Sequence, residues 1–141
     1  MILISNCGNI DGSRPKKENR MDHIFDALNL GYQVKIDVWY EDNQWWLGKN
    51  EPKWKTGTTI FNQAWCQIKN EKALEKFNEH PSYRFFWQNK DKYTLTSNGH
   101  IWCNLDVKPL PYSICFLSKN PKNINTKNCY GICSDYIENY K

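Results

Sequence analysis

Strand-like apolar runs that alternate with helical or loop segments predict an α/β chain with a parallel, barrel-like sheet. Three observations carry this reading. The apolar run Met1–Ser5 is followed by a turn and then a segment of helical period. An alternating stretch, Tyr32–Tyr40, turns back on itself through Asp42-Asn43 into Gln44–Leu47, which adds a β-hairpin after the first βα unit. Beyond it, short apolar runs recur to the end of the chain. At 141 residues the sequence makes one domain, 1–141, short for a full eight-fold α/β barrel.

Each element has a local reason. Asn6-Cys7-Gly8-Asn9 is a turn at the end of the first strand, and a polar loop with Gly12 and Pro15 follows. A helix is predicted from about Glu18 to Leu30, because Met21, Ile24, Phe25 and Leu28 form a stripe and Gly31 suits the stop. Lys53–Asn62 reads as irregular, with Thr58 a cap for one short turn. Ala64–Lys69 is a strand and Glu71–Asn78 a helix that turns Ala73, Leu74 and Phe77 inward. Tyr83–Trp87, Ile101–Cys103, Tyr112–Leu117 and Tyr130–Ser134 are further strands, and Lys92–Asn98 is ambiguous. Asp135–Tyr140 closes the chain as a short helix.

Composition narrows the function classes. The 7 Trp, 8 Tyr and 6 Phe argue for a packed core and against disorder. No apolar run approaches the roughly 20 residues of a membrane span, and Met1 leads into a strand without a basic, apolar leader. The expected compartment is therefore the cytoplasm. A net charge of +4, with lysines scattered among acids, reads as a solvated surface, and no nucleic-acid partner is expected. The six cysteines mostly sit in apolar segments, where free thiols act as small hydrophobes. Reduced thiols are expected rather than bridges. Cys129 and Cys133 lack the CxxC or His partners that a zinc site needs.

In parallel barrels the chemistry lies at the C-terminal ends of the strands. That rule singles out Asn6, Lys35, Asp37, Lys49, Gln67, Lys69, Gln88 and Asp135. Several of the same residues carry a resemblance. Ser5-Asn6-Cys7-Gly8-Asn9, Glu18-Asn19, Lys35-Ile36-Asp37-Val38-Trp39 and Leu47-Gly48-Lys49-Asn50-Glu51-Pro52 resemble the patterns S-H-R-G-N, E-N, E-I-D-V-W and L-G-H-D-E-P. These belong to the glycerophosphodiester phosphodiesterase branch of the phospholipase-C-like barrels. Gln67-Ile68-Lys69-Asn70 is similar to the family's H-x-K-N, and Gly131–Tyr136 to its closing strand. The resemblance implies a shortened or irregular TIM-like, phospholipase-C-like barrel.

It also implies a chemistry. In that family a divalent cation held by carboxylates orients a phosphodiester, while two histidines act as base and acid. Carried over, Glu18 and Asp37 match metal ligands, and Lys35 replaces the third carboxylate. Asn6 and Lys49 stand where the two histidines belong, Asn50 and Cys7 replace their neighbours, and Gln67 and Gln88 replace further histidines. His23, His80 and His100 lie outside the pattern. Amides keep hydrogen-bonding shape but cannot shuttle protons, and a lysine among carboxylates can take the place of the cation. The expected protein is a catalytically inactive relative without cofactor, with Mg²⁺ or Ca²⁺ the cation if Glu18 and Asp37 hold one.

Three classes of function follow. The first is a binding module whose Lys35, Lys49 and Lys69 receive a phosphate or phosphodiester, set against the plain alternative that these lysines merely pair with Asp37, Glu18 and Asp135. The second is a working phosphoric diester hydrolase with altered machinery, in which Lys35 or Lys49 serves as base or Cys7 as nucleophile. The third is a component of a larger assembly, a virion among them. Trp45, Trp46 and Trp54 would supply its docking surface, since adjacent tryptophans on a strand point to opposite faces.

Overall fold

Successive strand residues leave by opposite faces, and the second strand buries both of its faces. In the computed structural model, which describes all 141 residues, that strand is β2 (Gln33–Glu41). Val34, Ile36 and Val38 belong to an apolar layer on one side, while Lys35 and Asp37 are buried on the other. A strand covered on both faces sits in the middle of a parallel sheet. β2 is flanked by β1 (Ile2–Asn6) on one edge and β5 (Ala64–Ile68) on the other, both parallel to it. The predicted hairpin is present: β3 (Gln44–Leu47) runs antiparallel to the far end of β2. β4 (Trp54–Lys55) adds to β3 within the stretch expected to be irregular.

The remaining strands are β6 (Arg84–Phe86), β7 (Tyr93–Leu95), β8 (Ile101–Cys103), β9 (Ile114–Phe116) and β10 (Gly131–Ser134). One sheet joins all ten, and its main path is β6-β5-β2-β1-β10-β9-β8-β7. Every pairing along that path is parallel except β7 with β8. The sheet is strongly curled. Trp65 and Phe86 from one end meet Trp102 and Ile114 from the other in a single buried cluster with Ile4 and Cys133. The Phe86 and Trp102 rings stack with centroids 4.3 Å apart. Where the ends approach, Ser97 N–H donates to the Phe85 carbonyl at 2.7 Å.

Only two α-helices cover the outside. α1 (Met21–Asn29) crosses from β1 to β2, and α2 (Glu71–Phe77) from β5 to β6. Together they supply Ile24, Ala27, Ala73 and Phe77 to the largest core cluster, beside Phe61 from a 3₁₀ turn at Thr59–Gln63. Thr58 precedes that turn but makes no capping bond. Loops replace helices elsewhere, and a terminal 3₁₀ turn, Ile137–Tyr140, stands where a short helix was expected.

α1 begins at Met21 rather than near Glu18, for a physical reason. Asn19 has φ +68°, a left-handed conformation that cannot lie inside an α-helix, and its N–H donates to the Cys7 carbonyl at 3.0 Å. Glu18 and Asn19 are thereby held against the end of β1. At Gly8, with φ +96°, a Cβ would lie 2.6 Å from the His23 ring, so glycine lets α1 approach the first turn.

Candidate functional site

The inner faces of the strands divide into two zones. Lower in the curl lie Ile4, Trp65, Phe86, Trp102, Ile114 and Cys133. Toward the C-terminal ends the same faces carry polar groups. Alternation puts Asn6 two beyond Ile4 and Gln67 two beyond Trp65. Gln88 and Asp135 follow the ends of β6 and β10, with Asp135 bonded to Asn6 and the Gln88 carbonyl to Gln67. The predicted positions therefore do collect at one end of the sheet.

Lys35 and Asp37 form its centre. Lys35 Nζ donates to Asp37 Oδ1 at 2.9 Å and to Gln67 Oε1 at 3.1 Å. The side chains are 8% and 1% exposed, so the pair is almost fully withdrawn from water. Asn19 clamps the carboxylate from a second side: its Nδ2 donates to Asp37 Oδ2 at 3.0 Å, and its Oδ1 accepts the Asp37 N–H at 3.0 Å. The Cys7 thiol donates to Asp37 Oδ2 at 3.1 Å. Burial alone would raise the Asp37 pKa, but Lys35 first, then Lys69 and the Asn19 and Cys7 hydrogen bonds, hold it below the ordinary value. Burial works equally against the Lys35 ammonium, and Asp37 outweighs it, raising the lysine above its ordinary range. Lys35 is thus held as a cation by Asp37, which suits it poorly to the role of a base.

Cys7 is no better suited to catalysis. Burial, then the Asp37 charge, pushes its thiol well above the ordinary value. A protonated, 1% exposed thiol is a hydrogen-bond donor and not a nucleophile.

A second network surrounds Asn9. Its Nδ2 donates to Asp135 Oδ1 at 2.8 Å and to Glu18 Oε1 at 3.2 Å. Its Oδ1 accepts the Arg14 N–H at 3.3 Å and faces His23 Nε2 at 2.9 Å. An oxygen cannot donate, so His23 carries its proton on Nε2. Asn6 Nδ2 also donates to Asp135 Oδ1 at 2.8 Å, and Ser13 Oγ to Glu18 Oε1 at 2.8 Å. Glu18 and Asp135 are therefore satisfied by amides and a hydroxyl.

That division bears on the three lysines. Lys35 pairs with Asp37, as the plain alternative requires. Lys49 and Lys69 pair with no carboxylate, since the ion pairs of the chain are Arg14–Asp11, Arg20–Asp22, Lys35–Asp37 and Lys72–Glu75. Lys69 follows β5, with its N–H on the Val38 carbonyl at 2.8 Å. Its pKa is lowered, chiefly by burial, with Lys35 and Lys49 adding repulsion against the attraction of Asp37. Lys49 is exposed and lines a hollow of about 290 Å³ with Glu18, Asn50 and Lys53. Gln88 stands beside Gln67, whose Nε2 approaches the Gln88 carbonyl at 3.4 Å.

The donor set does not fit a divalent cation. Lys35 occupies one oxygen of Asp37, Asn19 and Cys7 the other, and no group of three His, Cys, Asp or Glu side chains converges.

Strand-end reasoning missed Asn9 and Asn19, which do most of the tying. Both stand in loops, beyond the reach of a rule about strand ends. Their presence in the Ser5–Asn9 and Glu18-Asn19 segments was the available signal.

The tryptophans around the hairpin have partners within the chain. Trp45 packs edge-on against Tyr40, Phe61 and Phe77, with centroids at 4.8, 5.0 and 5.3 Å. Trp46 Nε1 donates to the Glu41 carbonyl, and Trp54 Nε1 to that of Glu18, both at 3.2 Å.

No protein-family model, curated protein or solved structure matches the chain. No helix is long and apolar enough to cross a membrane.

Proposed function

We propose that this chain is an inactive, shortened TIM-like barrel of the phospholipase-C-like phosphodiesterase kind that binds a phosphate-bearing anion at the C-terminal ends of its strands. The observation that carries the reading is the buried Lys35 ammonium 2.9 Å from Asp37 Oδ1. It stands where the family resemblance calls for a carboxylate beside a cation, and it neutralises Asp37 without metal. The strand order supports the barrel. Along the sheet, β8, β9, β10, β1, β2, β5 and β6 follow one another in chain sequence, with the end of the chain returning beside its start. Most of the outer helices of such a barrel are missing here.

The ligand falls to Lys69 and Lys49, whose ammonium groups lack carboxylate partners, with Asn6, Gln67 and Gln88 as neutral donors around them. No histidine stands beside Asp37 to exchange protons, and His23 is oriented by Asn9. Holding an anion is the chemistry left to this set of residues.

Calorimetric titration tests the reading, using Mg²⁺, Ca²⁺ and Mn²⁺ alone, then glycerol phosphate, on the parent chain and on Lys35→Glu. The parent should bind glycerol phosphate and no metal, and Lys69→Met should weaken the phosphate by about tenfold or more, the loss of one charge-assisted hydrogen bond. Lys35→Glu should gain divalent-cation binding. Tight metal binding by the parent would overturn the reading and direct attention to hydrolase activity.

A further inference from the structure

Away from the lysine site, on the outer face of the sheet, three cysteines converge. Cys103 on β8 and Cys115 on β9 are register neighbours on parallel strands, so their side chains leave by the same face. Cys129 comes from the turn before β10, and its Sγ lies 2.7 Å from Cys115 Sγ, within van der Waals contact of two sulfurs. The turn is held in place by backbone bonds: Tyr130 N–H donates to the Ser113 carbonyl at 2.9 Å, and Tyr112 N–H to that of Asn128 at 2.7 Å. Cys103 and Cys115 are fully buried, and Cys129 is 9% exposed. A hollow of about 220 Å³ leads to it, lined by Lys108, Pro111, Asn125 and Cys129 itself.

A buried dithiol with one sulfur at the foot of an opening has the arrangement of a reversible bridge. We propose that Cys115 and Cys129 are a thiol–disulfide switch, oxidised by a small disulfide such as glutathione disulfide entering through the hollow, with Cys103 accepting the Cys115 proton.

The steps balance. The Cys129 thiolate attacks one sulfur of the small disulfide, forming a mixed disulfide and releasing one thiolate. Cys115 passes its proton to the Cys103 thiolate and attacks the Cys129 sulfur, and the second thiolate is released and takes that proton from Cys103. The protons given up by Cys129 and Cys115 end on the two released thiols. The protein dithiol is oxidised to a disulfide, and one external disulfide is reduced to two thiols. The hydrogen bond between the two sulfurs lowers the Cys103 thiol and raises that of Cys115, so Cys103 is the thiolate of the pair.

The other three cysteines provide the control. Cys7, Cys66 and Cys133 are also buried and free, but the sulfurs of Cys7 and Cys66 bond only oxygen and nitrogen groups, and none of the three bonds a second sulfur. They should not react.

The test treats the folded, reduced protein with glutathione disulfide, alkylates remaining thiols in denaturant, and maps peptides after cleavage at Lys, Arg and Asp. A Cys115–Cys129 linkage with four alkylated cysteines is expected, together with a rise in melting temperature on the order of 10 °C that dithiothreitol reverses. Cys129→Ser should abolish both, and Cys103→Ser should slow bridge formation while leaving the product unchanged. Six alkylated cysteines after oxidation, or a bridge between any other pair, would overturn the assignment. An undiminished rate in Cys103→Ser would remove that residue from the switch.

Discussion

A lysine and an aspartate that face each other out of water are stable only together. Their mutual attraction offsets two desolvation costs, and removing one partner leaves the other charge buried and alone. Lys35→Met should therefore destabilise the chain by about 3–5 kcal/mol, read by urea unfolding, although the loss of apolar surface is negligible. The double variant Lys35→Met/Asp37→Leu should recover most of that loss. A full additive loss would show that the pair is not coupled. The pair also predicts a pH window. Asp37 is lowered in the folded state, so its contribution is present above its unfolded pKa of about 3.9 and is lost as pH falls through the folded value. Lys35 is raised, so its contribution is full below about pH 10.4 and is lost as pH rises. The stability advantage of the parent over Asp37→Asn should accordingly be greatest between these limits and shrink in acid.

At the scale of elements, the short helix α2 depends on one side chain. Asn70 Oδ1 accepts the N–H of Ala73 at 3.2 Å and that of Tyr40 at 3.1 Å, while its Nδ2 donates to the Tyr40 carbonyl at 2.9 Å. It caps the helix and ties it to the end of β2, the strand that carries Lys35 and Asp37. Asn70→Ala should cost about 1–2 kcal/mol, the upper range for a lost cap, with an accompanying loss of far-ultraviolet helical signal on heating. A change below about 0.3 kcal/mol would mean that the tertiary packing of Ala73 and Phe77 holds the helix without its cap. The sequence pattern located α2 to within a residue, because its stripe and its cap agree. It misplaced the start of α1, where the apolar stripe begins at Met21 and the preceding Glu18-Asn19 is held by contacts with β1 that no local pattern displays.

Across the whole molecule, the curl of the sheet is held where Phe86 and Trp102 stack between its two ends. The backbone supplies little there, since β6 and β7 share no ladder. Phe86→Ala should cost about 3–5 kcal/mol, and it should quench or shift the fluorescence of Trp65 and Trp102 before global unfolding. A cost near that of an exposed phenylalanine would show that the ends are held by the loops instead.

The sequence by itself determined most of the strands, the hairpin, both α-helices and the polar residues near the strand ends, because those follow from periodicity and turn chemistry along neighbouring residues. It did not determine β4 or β7. Only the tertiary structure decided which lysine is neutralised, since Lys35, Lys49 and Lys69 look alike in the chain and differ only in what the fold places beside them. The same holds for the amides of Asn9 and Asn19 and for the meeting of Cys103, Cys115 and Cys129. Hydrogen bonds and sulfur contacts across many residues are fixed by the curl of the sheet and the course of its loops. No local spacing encodes either.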